Sequence, residues 1–419
     1  MTEMATQAIR SFNTRRIQTA NAKGAIIMFR KAHARWLGLL VAGIALLVVA
    51  AACGDDDDDG GAGAVEPAVV PDYGTQFQGQ TLRVTAWSGP YADAIRDIMV
   101  PSFEDATGAE IVVIDEWETI VSRILAAPED APPYDLTITE GFTMFDGLES
   151  DLWLPIRYEN VPNAVDVFPF FGSEESDREV GGADGTKWGV PFAHGYQVIG
   201  YDKEDLGFTP TSWNDIWSDK VTGKIGADSG FFNYALGAAA LDLGIDPNSG
   251  DADDIKAIIA HMAELKDRMV WFPTGAVSRA NLLNDEADIQ IMYIEDISPM
   301  AQDNPKFGWV YPEEGAMGWN DRWSVVRGTK VRDLAEAFAN HMLDPNLQSA
   351  FSARETYWMS NSKYTPPSGR EDEFPTSNED LAARATLWDY AIWVPYFFDD
   401  TSVNGVPVYS TFATEALGQ

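Results

Sequence analysis

A β-α-β-α-β alternation at the start of the globular region restricts the fold more than any other feature of this chain. Residues 81–86, 109–115 and 134–138 have the length and composition of buried strands. Residues 91–106 have helical periodicity, and Gly108 follows them as a helix-ending residue. This order of elements predicts an open α/β sheet with its ligand chemistry at the strand ends.

The rest of the chain continues the alternation. Residues 252–269 predict an amphipathic helix whose apolar face is formed by Ile255, Ile258, Ile259, Met262 and Met269. The other predicted elements are strands at 288–293, 307–311 and 323–326, a helix at 332–343 with Leu334, Phe338 and Met342 toward the core, and a helical, aromatic-rich tail at 377–396. A chain of 419 residues can form two or three such domains with a substantial core.

The amino terminus predicts export. Three basic residues precede an apolar run at residues 37–52, which ends at Cys53 after three alanines. This junction resembles the lipobox of bacterial lipoproteins, in which the cysteine carries the lipid. Cys53 is the only cysteine in the sequence, so a disulfide and a thiol nucleophile are both excluded. We predict a lipoprotein signal over residues 1–53, for which Met28 would be an equally ordinary start.

An uncleaved membrane anchor is the alternative for this apolar run, but the run is shorter than the roughly 20 residues that a spanning helix needs. After the cysteine, five consecutive aspartates and a series of small residues predict a flexible acidic tether over residues 54–77. Contiguous carboxylates lack the spacing of a calcium-binding loop.

Charge limits the choice of partner. The chain has 65 acidic and 29 basic residues, and its formal net charge is -36. Such a surface repels the phosphates of DNA and RNA, so we predict no nucleic-acid partner. The acidity otherwise serves solubility or favours a cationic ligand.

Seven short fragments occur in order along the chain, and the most specific is Ser-Trp-Asn-Asp-Ile-Trp at 212–217 with Gly-Lys-Ile at 223–225. The others are Leu-Arg-Val-Thr-Ala-Trp at 82–87, Ser-Phe-Glu-Asp-Ala-Thr-Gly at 102–108, Tyr-Asp-Leu at 134–136, Trp-Gly-Val-Pro-Phe at 188–192, Glu-Glu-Gly at 313–315 with Trp-Asn-Asp at 319–321, and Asp-Pro at 344–345. Together they resemble the periplasmic spermidine/putrescine-binding proteins, which are solute-binding proteins of ABC importers.

This resemblance implies a two-lobed α/β fold of the type II periplasmic-binding-protein class, with crossing strands between the lobes and a ligand cleft. It places lobe 1 at residues 78–196 and 323–419, with C-terminal helices able to pack across both lobes, and lobe 2 at residues 197–322. The protein would be an extracytoplasmic monomer without cofactor, metal or enzymatic activity. It would bind a small cation, with a polyamine as the expected ligand, and deliver it to the permease subunits of an importer.

The resemblance also implies ligand-binding residues. Alkylammonium ions bind to aromatic faces and carboxylates. Trp319 and Asp321 match the family's tryptophan and amine-binding aspartate, and side chains two apart on a strand face the same way. Trp87 and Tyr91 match an aromatic pair after the first strand, although one more residue separates them here. Tyr293 stands where the family has another cleft tryptophan.

Four further residues are candidates for the cleft. Glu295 follows a predicted strand, and Glu140 and Phe142 follow the third strand of the first lobe. The family has two carboxylates after its Gly-Lys-Val strand; Asp228 keeps one of them, and an aromatic residue or glycine replaces the other. This departure favours a short diamine or another amine over a triamine.

Other ligands and functions stay open. Arg322, beside Asp321, is compatible with a zwitterion, and His194 is the one histidine near a predicted crossing strand. The same fold would also suit a phosphonate, thiamine or ferric iron. A sensor lipoprotein and a carboxylate-dependent hydrolase are the remaining alternatives, although the sequence has no hydrolase or phosphate-loop motif.

Overall fold

A computed structural model describes residues 71–117, 119–172, 185–229, 231–272, 275–375 and 377–389. The predicted signal, Cys53 and the tether up to residue 70 lie outside these residues. No helix within the described ranges is long and apolar enough to cross a membrane.

The described strands form a single twelve-stranded sheet. In chain order they are β1 Thr81–Ala86, β2 Glu110–Asp115, β3 Leu136–Thr139, β4 Trp153–Leu154, β5 Val190–Asp202, β6 Ile225–Asp228, β7 Met269–Phe272, β8 Ile289–Tyr293, β9 Phe307–Val310, β10 Ala316–Val326, β11 Trp358–Met359 and β12 Ala385–Thr386.

Helices alternate with these strands along the chain, as in other α/β folds. They are α1 Pro90–Ala94, α2 Val100–Thr107, α3 Ile120–Ala126, α4 Gly141–Glu149, α5 Lys203–Leu206, α6 Asn214–Trp217, α7 Asn233–Asp242, α8 Ala252–Ala263, α9 Gly275–Leu283, α10 Ile294–Asp303, α11 Arg332–His341, α12 Pro345–Glu355 and α13 Asn378–Arg384. A π-helical turn, Ile95–Met99, joins α1 to α2, and short 3-10 helices occur at Tyr158–Asn160, Pro162–Asp166, Pro169–Gly172 and Glu371–Glu373.

Two long strands connect the halves of the sheet, whose order is β2-β1-β3-β10-β5-β8-β6-β7. β1, β2 and β3 are parallel at one end, and β6, β7 and β8 are parallel at the other. β5 pairs with β10 up to Tyr196 and with β8 from Gln197 onward, both antiparallel. β10 in turn pairs with β5 and β3. This is the predicted two-lobed type II fold, in which β5 changes its partner between Tyr196 and Gln197.

Local sequence signals explain the first helix pair. Pro90 opens α1 after Gly89, and α2 ends at Gly108, whose φ of 67° is left-handed. Glycine adopts this conformation without steric cost, and its N–H bonds to the carbonyl of Glu104 at 2.8 Å. The predicted stop at Gly108 is therefore confirmed.

The predicted helix over 252–269 is too long. α8 ends at Ala263, and its buried face contains Ile255, Ile258, Ile259 and Met262 as predicted. Met269 instead begins β7 and pairs with Ile225. Its spacing from Met262 mimics the helical period, but a polar turn at 264–268 separates the two elements.

Two other boundaries differ from the prediction. The strand predicted at 323–326 is only the end of β10, which begins at Ala316 and is buried along its whole length. In the tail, helix α13 stops at Arg384 and β12 follows it, so the helical prediction is wrong from residue 385; residues 390–396 lie outside the description.

The most specific family-like fragment has a structural role. Trp213 is fully buried, and its Nε1 donates to the carbonyl of Gly315 at 2.8 Å. Its backbone N–H donates to Oε2 of Glu314 at 3.1 Å. Fragments 212–217 and 313–315 are therefore joined by hydrogen bonds just before the start of β10.

Packing extends slightly beyond the predicted start of lobe 1. The ring of Tyr73 lies 5.0 Å from that of Phe77 and 6.4 Å from that of Phe103. Phe77 is only 2% exposed. The last residues assigned to the tether thus pack against α2.

Candidate ligand-binding site

Asp321 is the centre of the candidate site. It lies on β10 and is 1% exposed. Trp87, directly after β1, donates from Nε1 to Asp321 Oδ2 at 2.8 Å. Tyr91, on α1, donates from its hydroxyl to the same oxygen at 3.3 Å. The structure thus brings together three of the predicted residues from distant parts of the chain.

A β-bulge interrupts the pairing of β10 with β5 directly after Asp321. Asp321 pairs with Ala193, whereas the next residue, Arg322, pairs with Pro191. An extra residue on one strand bends it and redirects nearby side chains. Trp319 is paired with Gly195 two positions earlier and is 7% exposed.

The environment of Asp321 disfavours its charge. Burial and, to a smaller extent, the nearby Glu140 raise the pKa of this carboxyl to about 8. The hydrogen bonds from Trp87 and Tyr91 oppose the rise because they stabilise the ionised form. No basic side chain in the described part of the chain is hydrogen-bonded to Asp321.

Glu295 supplies a second carboxyl group at the start of α10. Burial, Asp296 and Asp321 together hold the pKa of Glu295 well above its usual range. Its Oε2 atom is buried and has no hydrogen-bond partner among the described residues. The site therefore contains a fully buried acid, Asp321, and a half-buried one, Glu295, that influence each other.

Arg279 is already engaged beside this pair of acids. Its guanidinium on α9 forms an ion pair with Asp296, which is 7% exposed. Burial raises the pKa of Asp296 to about 6, although the ion pair with Arg279 acts in the opposite direction. The positive charge of Arg279 is thus paired with Asp296, a third carboxylate near the site.

Asp228 and Tyr293 meet on the other half of the sheet, at the ends of β6 and β8. The Tyr293 hydroxyl donates to Asp228 Oδ2 at 3.3 Å, and the backbone N–H of Phe231 donates to Asp228 Oδ1 at 3.2 Å. The ring of Tyr234 contacts Tyr293 edge-on at 6.0 Å. Burial and the adjacent Asp228 raise the pKa of Tyr293 well above its usual value.

Aromatic rings join the two halves. Phe231 stacks on Trp117 at 5.6 Å and on Phe142 at 6.4 Å, with interplanar angles near parallel. Trp117 also lies 5.3 Å from Trp87. We call Trp117, Phe142 and Phe231 the aromatic stack; it connects the ends of β2, β3 and β6.

Comparison with known proteins identifies the family. The model of the bacterial extracellular solute-binding protein family matches residues 99–383. The chain belongs to this family. The predicted class, the solute-binding proteins of ABC importers, is thereby confirmed, and the family is one of transport proteins rather than enzymes.

Several members of this family and of its fold are similar to the chain. The gamma-aminobutyric acid-binding protein of Pseudomonas aeruginosa is 23% identical over 67% of this chain and 77% of its own length. The putrescine-binding periplasmic protein PotF of Escherichia coli is 25% identical over 68% of this chain and 80% of its own length. The spermidine/putrescine ABC transporter substrate-binding protein PotD of Streptococcus pneumoniae has the same fold, with a TM-score of 0.61 at 20% identity over 74% of this chain and 92% of that one.

Glu140 is tied to its own helix. It caps α4, and its two carboxylate oxygens accept from the backbone N–H groups of Phe142 at 2.8 Å and Thr143 at 3.0 Å. Acidic caps of this kind stabilise a helix start. Glu140 therefore adds negative potential near Asp321 while its oxygens serve the helix.

His194 is a core residue. Its ring is packed by Phe171, Tyr196 and Trp358. Burial lowers its pKa to about 3, so the ring is neutral at physiological pH. Arg322 is 3% exposed and lies close to Gly189. A methyl group placed on Gly189 would lie 2.8 Å from the Cβ atom of Arg322.

Two aromatic residues at the site are absent from the predicted set. Tyr357, after α12, lies 5.2 Å from Tyr91 and 5.6 Å from Trp319, ring to ring. Trp117 follows β2, so the strand-end rule that selected Trp87 would have found it as well. Tyr357 has no such signal because it follows a helix far along the chain.

Among the described residues, Asp202, Asp205 and Asp285 are also close enough to share a cation. The ammonium group of Lys306 lies there, 2.7 Å from Asp202 and 3.0 Å from Asp285. The protein itself therefore supplies a cation to this cluster.

Proposed function

We propose that this protein captures a small amine cation between its lobes and delivers it to the permease subunits of an ABC importer. Asp321 carries the proposal. It is a buried carboxylate held in place by Trp87 and Tyr91, and no basic side chain of the described residues bonds to it.

A ligand ammonium is the natural complement of this arrangement. Burying a carboxylate is costly unless a positive charge or hydrogen bonds compensate it. Trp87, Tyr91 and Tyr357 lie around the same carboxylate, and aromatic faces attract cations. Asp228 and Tyr293 would complete the cleft from the second lobe.

The aromatic stack supports a short ligand. Where the polyamine-binding family has a second carboxylate after its Gly-Lys-Val strand, this chain has an aromatic residue or glycine. Phe231, in this segment, packs against Trp117 and Phe142 and offers no charge for a further amine. A four- or five-carbon diamine or a monoamine therefore fits better than spermidine.

The remaining predictions belong to the same proposal. Lipid on Cys53 would hold the protein outside the cytoplasmic membrane, and the acidic segment after it would act as a spacer. The lobe boundaries at residues 196/197 and 322/323 would be the hinge, and the protein would act as a monomer.

An ω-amino acid is the second candidate ligand. The similar protein of Pseudomonas aeruginosa is named for gamma-aminobutyric acid. Arg279, although paired with Asp296, lies close enough to influence Glu295 and could turn toward a ligand carboxylate.

Calorimetric titration of the ligand-free chain from Gly54 onward tests the proposal. The ligands are putrescine, cadaverine, spermidine, spermine and 4-aminobutanoate. We expect saturable binding of a short amine, weakened at least about tenfold in Asp321→Asn because a charge-assisted bond is lost. Asp202→Asn is the matched control, since that buried aspartate is paired with Lys306. Absence of binding to every amine, or equal loss in both variants, would contradict the proposal.

A further inference from the structure

Two polar atoms beside Asp321 are buried without a hydrogen-bond partner among the described residues. They are Nε1 of Trp319 and Oε2 of Glu295. Trp319 is 7% exposed, so water reaches its indole poorly. A buried polar atom left unpaired costs about 1–3 kcal/mol, and nearly all such atoms in native proteins have partners. Their presence in a binding cleft points to a ligand group that satisfies them.

Both atoms border the same point on the crossing strand β5. A methyl group placed on Gly195 would lie 3.1 Å from Oε2 of Glu295. It would also lie 2.7 Å from Cζ2 of Trp319 and 3.1 Å from Cε2, the carbon bonded to Nε1. Because residue 195 is glycine, no side chain of β5 separates the indole from the carboxyl group.

The two atoms require different partners. An indole N–H only donates, and an ionised carboxylate only accepts. A ligand ammonium could satisfy Glu295 but not Trp319, and a ligand carboxylate could satisfy Trp319 but would face Glu295. A hydroxyl group both donates and accepts, so one such group can bond to both atoms.

We propose that the solute is an amino alcohol: its ammonium binds at Asp321, and its hydroxyl lies between Trp319 Nε1 and Glu295 Oε2. This inference rests on the proposed function and names the class of amine. Arg279, the basic side chain that lies near Glu295, is already paired with Asp296.

The test compares three ligands with the same four-carbon chain: 4-aminobutan-1-ol, butane-1,4-diamine and 4-aminobutanoate. We expect the purified protein to bind the amino alcohol about tenfold or more tightly than the diamine, since the diamine leaves a buried donor unpaired. In Trp319→Phe, which keeps an aromatic ring but removes the N–H, the ratio of the two dissociation constants should fall close to one.

Glu295 offers a second, independent pair of variants. Glu295→Gln retains an oxygen acceptor of the same shape and should keep the preference, whereas Glu295→Leu should lose it. Thermal unfolding shows whether each variant is folded. Tighter binding of the diamine or of 4-aminobutanoate to the wild type, or a ratio unchanged in both Trp319→Phe and Glu295→Leu, would overturn the inference and leave the proposed function standing. Failure of all three ligands to bind would overturn the inference, and failure of cadaverine, spermidine and spermine as well would overturn the proposed function.

Discussion

The indole nitrogen of Trp87 donates a hydrogen bond of 2.8 Å to Oδ2 of Asp321, although 234 positions separate these residues in the chain. The bond connects the end of β1 to the crossing strand β10. It also stabilises the ionised form of a carboxyl group that burial would otherwise keep protonated. Binding of a cation should therefore depend on the groups that set this balance.

Trp87→Phe should weaken amine binding at pH 7 by about tenfold, because the variant loses the bond that lowers the pKa of Asp321. Tyr91→Phe loses the longer bond of 3.3 Å and should have a smaller effect. Raising the pH to 9 should recover part of the lost binding affinity in both variants, since Asp321 then ionises in each. Titration calorimetry at the two pH values measures this, and a larger effect of Tyr91→Phe would contradict it.

The stability of the ligand-free protein should fall as pH rises, owing to Asp321. Its pKa is about 8 when folded, against an ordinary value of 3.8, so the folded state binds more protons between these values. The stabilisation is complete below pH 3.8 and is lost progressively up to pH 8. Between pH 5 and 8, the melting temperature of the wild type should fall by at least about 2 °C more than that of Asp321→Asn. Parallel curves for the two proteins would show that Asp321 titrates normally.

Gly195→Ala should reduce binding at least about tenfold, because its methyl group would lie 2.7 Å from the Trp319 ring and must displace it. Gly200→Ala is the matched control on the same strand. Its methyl group meets the flexible side chain of Met292, which pairs with the other half of β5. Both variants should lose about 1–3 kcal/mol of stability, but only the first should lose binding. If Gly195→Ala and Gly200→Ala bind the ligand with equal affinity, the space beside Gly195 is not used by the ligand.

Phe231→Ala should change ligand length preference. Removing its ring breaks the stacking on Trp117 and Phe142, worth about 0.5–1.5 kcal/mol per pair, and opens one end of the cleft. We expect weaker binding of four-carbon amines and a relative gain for spermidine, measured as the ratio of the two dissociation constants. Phe208→Ala, a half-buried phenylalanine under Lys220, is the control and should leave the ratio unchanged.

Periodicity and end signals predicted most of the first lobe. β1 has the predicted bounds, and Gly108 ends α2 because its backbone is left-handed. The same reasoning missed most of β10 because this strand contains polar residues in buried positions. Asn320, Asp321 and Arg322 are each 3% exposed or less. A strand that carries a binding site breaks the apolar pattern from which strands are predicted.

The candidate site could be predicted only in part. Family-like fragments selected Trp87, Tyr91, Trp319 and Asp321, and their convergence follows from the order of the strands. Tyr357 could not be selected, since it reaches the site from a loop after a helix. The capping role of Glu140 and the unpaired state of Glu295 depend on side-chain geometry, about which sequence spacing gives no information.

The placement of Asp321 and Trp319 on β10 has a kinetic consequence. β10 is bonded to β3 in one half of the sheet and to β5, which continues into the other half. If the lobes turn about these strands, as we propose, side chains on β10 would keep their positions, whereas Asp228 and Tyr293 would move with the second lobe. A solute would then bind to Asp321 and Trp319 at a rate that is independent of lobe motion, while its residence time would be set by how long the second lobe stays closed over it.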